Sequence, residues 1–147
     1  MKVVVASSGV YEEEMADPAL SALSFPWPAG SEIHVVSVAE VMYPVVVGIA
    51  PDTVDTTDVE VRTEADAKAA ANRIAMQFRS LGFSAEGIAM RGDPETSILD
   101  HAKEWGADLI VVGSRERSRV EKFLTGSISE SIVKNAPCSV LLLRHAG

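Results

Sequence analysis

Gly113, Gly126 and Ser127 are the residues whose types and spacing best fit a chemistry. The apolar run Leu109 to Val112 leads into Gly113. A charged stretch follows up to Gly126, and Ser127 opens a segment of helical character. A strand feeding a loop that ends at a helix N-terminus offers backbone N–H groups to an anion. The implied chemistry is anion binding, with a phosphate-bearing ligand as the natural occupant. Arg115, Arg117, Arg119 and Lys122 oppose Glu116 and Glu121 in this stretch, four cations against two acids for a net +2. Arginine suits phosphate oxygens. The same side chains can also satisfy one another in a solvated loop, and both readings stand.

Ser127-Ile128-Ser129-Glu130 has the spacing of a capping box, with Ser127 as cap and Glu130 reaching back. That role is compatible with phosphate contact without requiring it. Ser7-Ser8-Gly9, after the first apolar run, is a second candidate for a phosphate-gripping turn. The candidate anion-binding set is therefore Ser7, Ser8, Gly9, Val38, Val112, Gly113, Arg115, Glu116, Gly126, Ser127, Ile128 and Ser129.

Other chemistries find little support. His34, His101 and His145 fall on a strand, a helix and the tail, without metal-ligand spacing. No metal site is expected. Cys138 follows Pro137 before the last strand and reads as a small packing residue. No nucleophile–base pair is evident, so no catalytic residues are assigned. A net charge of −8 argues against nucleic acid and anionic membranes as partners. One cysteine allows no internal disulfide, no apolar run approaches a bilayer span, and no signal peptide is recognisable. The cytoplasm is the expected compartment. At 147 residues the chain reads as a single domain, 1–147.

The elements that must position these residues follow from the hydrophobic period. Val3 to Ala6 reads as a strand covered on both faces. A helix is predicted to start near Asp17-Pro18, with Asp17 as cap, and to end at the Phe25 to Gly30 breaker. Ile33 to Val38 is a second strand. Glu40 to Asp58 shows no clean period and contains Pro44, Gly48 and Pro51. It reads as a long loop whose Val45-Val46-Val47 patch is a lid, a partner contact or a cover for the core. The segment Val59 to Leu81 predicts an amphipathic helix with Ala67, Ala71, Ile74, Phe78 and Leu81 on the buried face. Phe83 to Met90 is a third strand. Asp93-Pro94-Glu95 is a strong helix start, and Ile98, Ala102 and Trp105 mark that helix's buried face. With Leu109 to Val112, the Ser127 helix and Val140 to Leu143, five strands alternate with four helices. Such alternation gives a parallel sheet with helices on both faces, Rossmann-like α/β. Ligands in such sheets bind beyond the carboxyl ends of the strands, where the winding reverses. The last strand, Val140-Leu141-Leu142-Leu143, is wholly apolar with no later strand to cover it, which predicts two-fold pairing with a second copy.

The stretches RGDPETSILDHAKEWGADLIVVGSR and TGSISESIVKNAPCSVLLLR resemble the universal stress protein family, and KVVVASSG and WPAGSEIHVVSVAE fall in the same order of elements. The resemblance implies a flavodoxin-like sheet of order 3-2-1-4-5. It also implies a homodimer formed by the last strands, Val140 to Leu143. Family members that bind ATP show Gly-x2-Gly-x9-Gly-[Ser/Thr] and an acidic residue at the end of strand one. Here Gly113, Gly126 and Ser127 match, but Glu116 stands at the second glycine and Ser8 at the acidic position.

A carboxylate about 6 Å from one phosphate charge, at an effective dielectric of about 20, opposes it by roughly 3 kcal/mol. The expectation is a dimeric, non-enzymatic stress-response signalling or interaction module with weak or absent ATP binding. Its partner would be an unidentified protein or small anion. The alternative is an ATP or adenine-nucleotide sensor using the Gly113–Ser127 loop, with slow ATP hydrolysis left open.

Overall fold

Val3, Val4 and Val5 have no solvent exposure, so the first strand must be covered from both sides. The computed structural model describes residues 1–7, 18–39, 63–114 and 127–144. In chain order the elements are β1 (Lys2–Ser7), α1 (Pro18–Ser21), β2 (Glu32–Ala39) and α2 (Glu64–Ser80). They continue with β3 (Ser84–Arg91), α3 (Pro94–Trp105), β4 (Leu109–Ser114), α4 (Ser127–Asn135) and β5 (Ser139–Arg144). The five strands form one sheet of order β3-β2-β1-β4-β5, all pairs parallel, as the sequence and the resemblance predicted.

Alternate side chains of the central strands go to opposite faces. Val3 and Val5 of β1, Ile33 and Val35 of β2 and Val111 of β4 cluster with Ala71, Ile74, Ala75 and Phe78 of α2. Val4, Val36, Ile110 and Val112 cluster on the other face with Ile98 and Ala102 of α3 and Ile132 of α4. The sheet is thus sealed between two apolar layers.

Three expectations change. Helical structure after Pro18 is short, a single turn to Ser21 followed by a 3₁₀ turn over Ala22–Ser24. Phe25 is extended (φ −76, ψ 141), as a residue before proline prefers. The buried indole of Trp27 donates to the Ala22 carbonyl at 2.8 Å and fixes the turn. Asp17, the expected cap, lies outside the described residues, as does the segment from Glu40 to Asp58. The second helix starts at Glu64 rather than Val59. Thr63 is extended and accepts from the Asp66 N–H, while the Asp66 carboxylate accepts from the Thr63 N–H. Leu81, expected on the buried face, is 55% exposed because it lies past the last helical turn. By contrast α3 starts as read, with Asp93 accepting from the Thr96 N–H at 2.9 Å and Pro94 in the first turn. Gly106, at φ 73, ends that helix in the left-handed region.

Helix α2 sits on β3 with almost no clearance at Gly87. A Cβ there would lie 2.4 Å from the Asn72 side-chain oxygen and 2.7 Å from the Asn72 backbone nitrogen. Lys68 and Arg79 of α2 donate to the Gly87 and Ala85 carbonyls of β3, the latter at 2.6 Å. Gly87→Ala should therefore force helix and strand apart and lower stability by about 1–3 kcal/mol, read as a reduced urea midpoint. An unchanged midpoint would show that α2 shifts freely.

Candidate functional site

Strand order reverses at β1. The chain winds outward through β2 and β3, then crosses back to place β4 on the other side of β1. Val3, Val4 and Val5 are in register with Leu109, Ile110 and Val111. The two strands therefore run side by side to Ser7 and to Gly113 and Ser114. This brings the two sequence-predicted loop starts to the same end of the sheet, the end at which such folds accept ligands.

The described members of the predicted set divide by role. Ser7 is buried at the end of β1, next to Ser37 of β2 in the strand register. Val38 (8% exposed) and Val112 (3% exposed) have their side chains in the apolar layer with Ile98 and Ile132, so they serve as core residues near the strand ends. The Ser129 hydroxyl donates to the Gly113 carbonyl at 3.2 Å and ties the first turn of α4 to the end of β4. Ile128 beside it is 40% exposed. Helix α4 begins at Ser127, which is thus its first helical residue rather than the cap the sequence predicted. The Ser127 side chain lies outside the described residues, and so do Ser8, Gly9, Arg115, Glu116 and Gly126. Glu130, the other half of the predicted capping box, is paired with Lys134 at 3.3 Å, one turn along the same helix.

Ser37 was not singled out in the sequence. It occupies an inward position of β2, and its fully buried hydroxyl has no hydrogen-bond partner among the described residues. An unpaired hydroxyl in a core position costs about 1–3 kcal/mol. The only sequence signal is a serine inside the apolar run Val35-Val36-Ser37-Val38. Sequence reasoning also separated His34 from His101, which the structure brings to 3.0 Å at the opposite end of the sheet.

Cys138 is half-buried against the second apolar layer, and its thiol is pushed up in pKa, first by burial and then by the Asp108 carboxylate. It stays protonated and unreactive at neutral pH. Asp93 is held below the ordinary carboxylate range, chiefly by the Thr96 backbone N–H and then by the Thr96 hydroxyl. Its cap is complete at neutral pH and weakens in acid as the carboxylate protonates.

The model of the Universal stress protein family matches residues 3–144. Universal stress protein YxiE of Bacillus subtilis is 44% identical over 63 residues, which are 43% of this chain and 43% of that protein. The match thus spans less than half of that relative's length. A universal stress protein family protein of Arabidopsis thaliana with AMP bound has TM-score 0.65 at 20% identity, covering 99% of this chain and 92% of that one. The universal stress protein of Archaeoglobus fulgidus in complex with dAMP has TM-score 0.55 at 20% identity, covering 97% of each chain. At these identities the two structures speak for a shared fold.

The Ser129 bond to Gly113 joins α4 to the end of β4. Ser129→Ala should cost about 0.5–1.5 kcal/mol of stability in a urea titration. A loss below that range would mean that the strand end is held by other contacts.

Proposed function

Because the chain belongs to the universal stress protein family, we propose that it is a non-enzymatic, dimeric stress-response module that binds ATP weakly or not at all. Its signal passes through a protein partner or a small anion. The observation carrying this reading is the sequence of two loops that extend from a sheet of the family's order. β1 and β4 converge at Ser7 and Gly113 as the fold requires. The residues that follow them in sequence place Ser8 where ATP-binding relatives carry an acid and Glu116 where they carry a glycine. Glu116 adds repulsion toward a triphosphate, roughly 3 kcal/mol before solvent screening.

Dimerisation is proposed through β5. Leu141 and Leu143 pack inward and Val140 joins the second apolar layer, while Leu142 is 43% exposed on a strand that ends the sheet. Ile128 and Val133 add exposed apolar surface on α4, which precedes it. Two-fold pairing of β5 would cover its open margin. The lone half-buried Cys138 suits a reducing compartment, and the cytoplasm is the proposed location.

The second reading, an adenine-nucleotide sensor, is favoured by one observation. The buried Ser37 hydroxyl beside Ser7 lacks a partner among the described residues, and a bound polar ligand would supply one. Related structures hold AMP and dAMP. The cationic stretch Arg115 to Lys122 would then offset Glu116.

Calorimetry with ATP and Mg²⁺ separates the two readings. No saturable heat below millimolar nucleotide is expected, and micromolar binding overturns the leading reading. The combined variant Glu116→Gly with Ser8→Asp should gain roughly tenfold or more in affinity, taking half of the estimated repulsion as effective. No gain would refute the electrostatic account. For assembly, light scattering should show a dimer for the parent and a monomer for Leu142→Glu; a variant that stays dimeric moves the interface away from β5.

A further inference from the structure

At the end of the sheet away from Ser7 and Gly113, His34 of β2 meets His101 of α3. The His34 Nδ1 and His101 Nε2 atoms are 3.0 Å apart, so one ring donates and the other accepts. Trp105, one helical turn beyond His101, lies flat on His34 with ring centroids 3.6 Å apart and planes 11° from parallel. The His34 side chain is 17% exposed, and Glu86 of β3 approaches its other nitrogen at 3.8 Å. Lys2 of β1 donates to the Trp105 carbonyl at 3.3 Å and lies 5.5 Å from the indole centroid. No group of three or more His, Cys, Asp or Glu among the described residues is arranged to hold a metal ion. Proton occupancy is therefore the variable this cluster can register.

We propose that His34 and His101 form a proton-operated latch holding the C-terminal half of α3 on β2, closed while one ring is neutral and released when both are charged. With both rings neutral, or with only one of them charged, the pair can keep a donor and an acceptor at the contact. With both rings cationic, two N–H groups face each other at 3.0 Å and the bond has no acceptor. The charged surroundings set how hard the second proton is to add. Glu86 (β3), Glu32 (β2) and Glu104 (α3) favour it; Lys2 (β1) opposes it, and Arg79 (α2) borders the same depression as His34. Burial opposes it most at both rings, followed at His34 by the charge of His101, and both pKa values lie below the ordinary 6.5. The sign follows from linkage. The unfolded chain takes up these protons first, so the latch contributes fully above pH 6.5 and is lost as the pH falls toward the folded-state values.

Ring C–H resonances followed by NMR titration, in a His145→Gln background, test the latch together with urea midpoints measured across the same pH range. In the otherwise unmodified protein, His34 and His101 should titrate as a coupled pair, and the midpoint should fall below pH 6.5. His101→Gln keeps a hydrogen-bonding side chain without a second charge. It should move the His34 titration to higher pH and flatten the loss of stability. Independent one-proton curves for the two rings overturn the proposal, even where the variant fails to fold. An unmoved His34 titration or parallel stability profiles overturn it as well.

Discussion

Burial of β1 and β4 on both faces is the constraint from which the rest of this structure follows. Val3, Val4, Val5, Ile110 and Val111 are all but inaccessible to water. Two adjacent strands this apolar need a layer on each side. The chain supplies α1 and α2 against one face, α3 and α4 against the other. Delivering helices to both faces requires the chain to reverse its winding at β1, since right-handed crossovers in one direction fill only one face. The neighbouring ends of β1 and β4 are thus a by-product of sealing the core. Bringing those strand ends together needs no folding device beyond the sheet itself.

The two ends of the sheet divide the polar groups. At the carboxyl end stand Ser7, Ser37, whose hydroxyl has no partner among the described residues, and the Gly113 carbonyl engaged by Ser129. At the amino end lie the His34–His101 contact, the Trp105 stack, Lys2 and the acids around them. Helix α3 reaches between these ends, starting beside the exit of β3 and finishing at Trp105. Its start is fixed by Asp93 and its finish by aromatic stacking.

Local signals carried most of the architecture. Uninterrupted apolar runs gave the strands, and the Asp93-Pro94-Glu95 start was legible because each of its residues acts within one turn. The later start of α2 was missed because Thr63-x-x-Asp66 uses a shorter acid than the usual capping box. Leu81 was misplaced because its helical spacing holds, while the helix ends one residue earlier. Gly87 was not singled out, since its contact with Asn72 exists only after α2 docks. The candidate site was legible as two strand ends and a helix start. Ser37 and the histidine contact were not, because each depends on register or packing between segments far apart in sequence.

The side chains of Lys68 and Arg79 occupy carbonyls of β3, the outermost strand on one flank, whereas the opposite flank ends in leucines. Two acceptors of the β3 margin are thus already engaged by side chains, while Leu142 on the β5 margin stands exposed. If a second copy pairs along β5, the carbonyls already engaged on β3 would leave that margin fewer acceptors for a further strand, an asymmetry that disfavours endless addition.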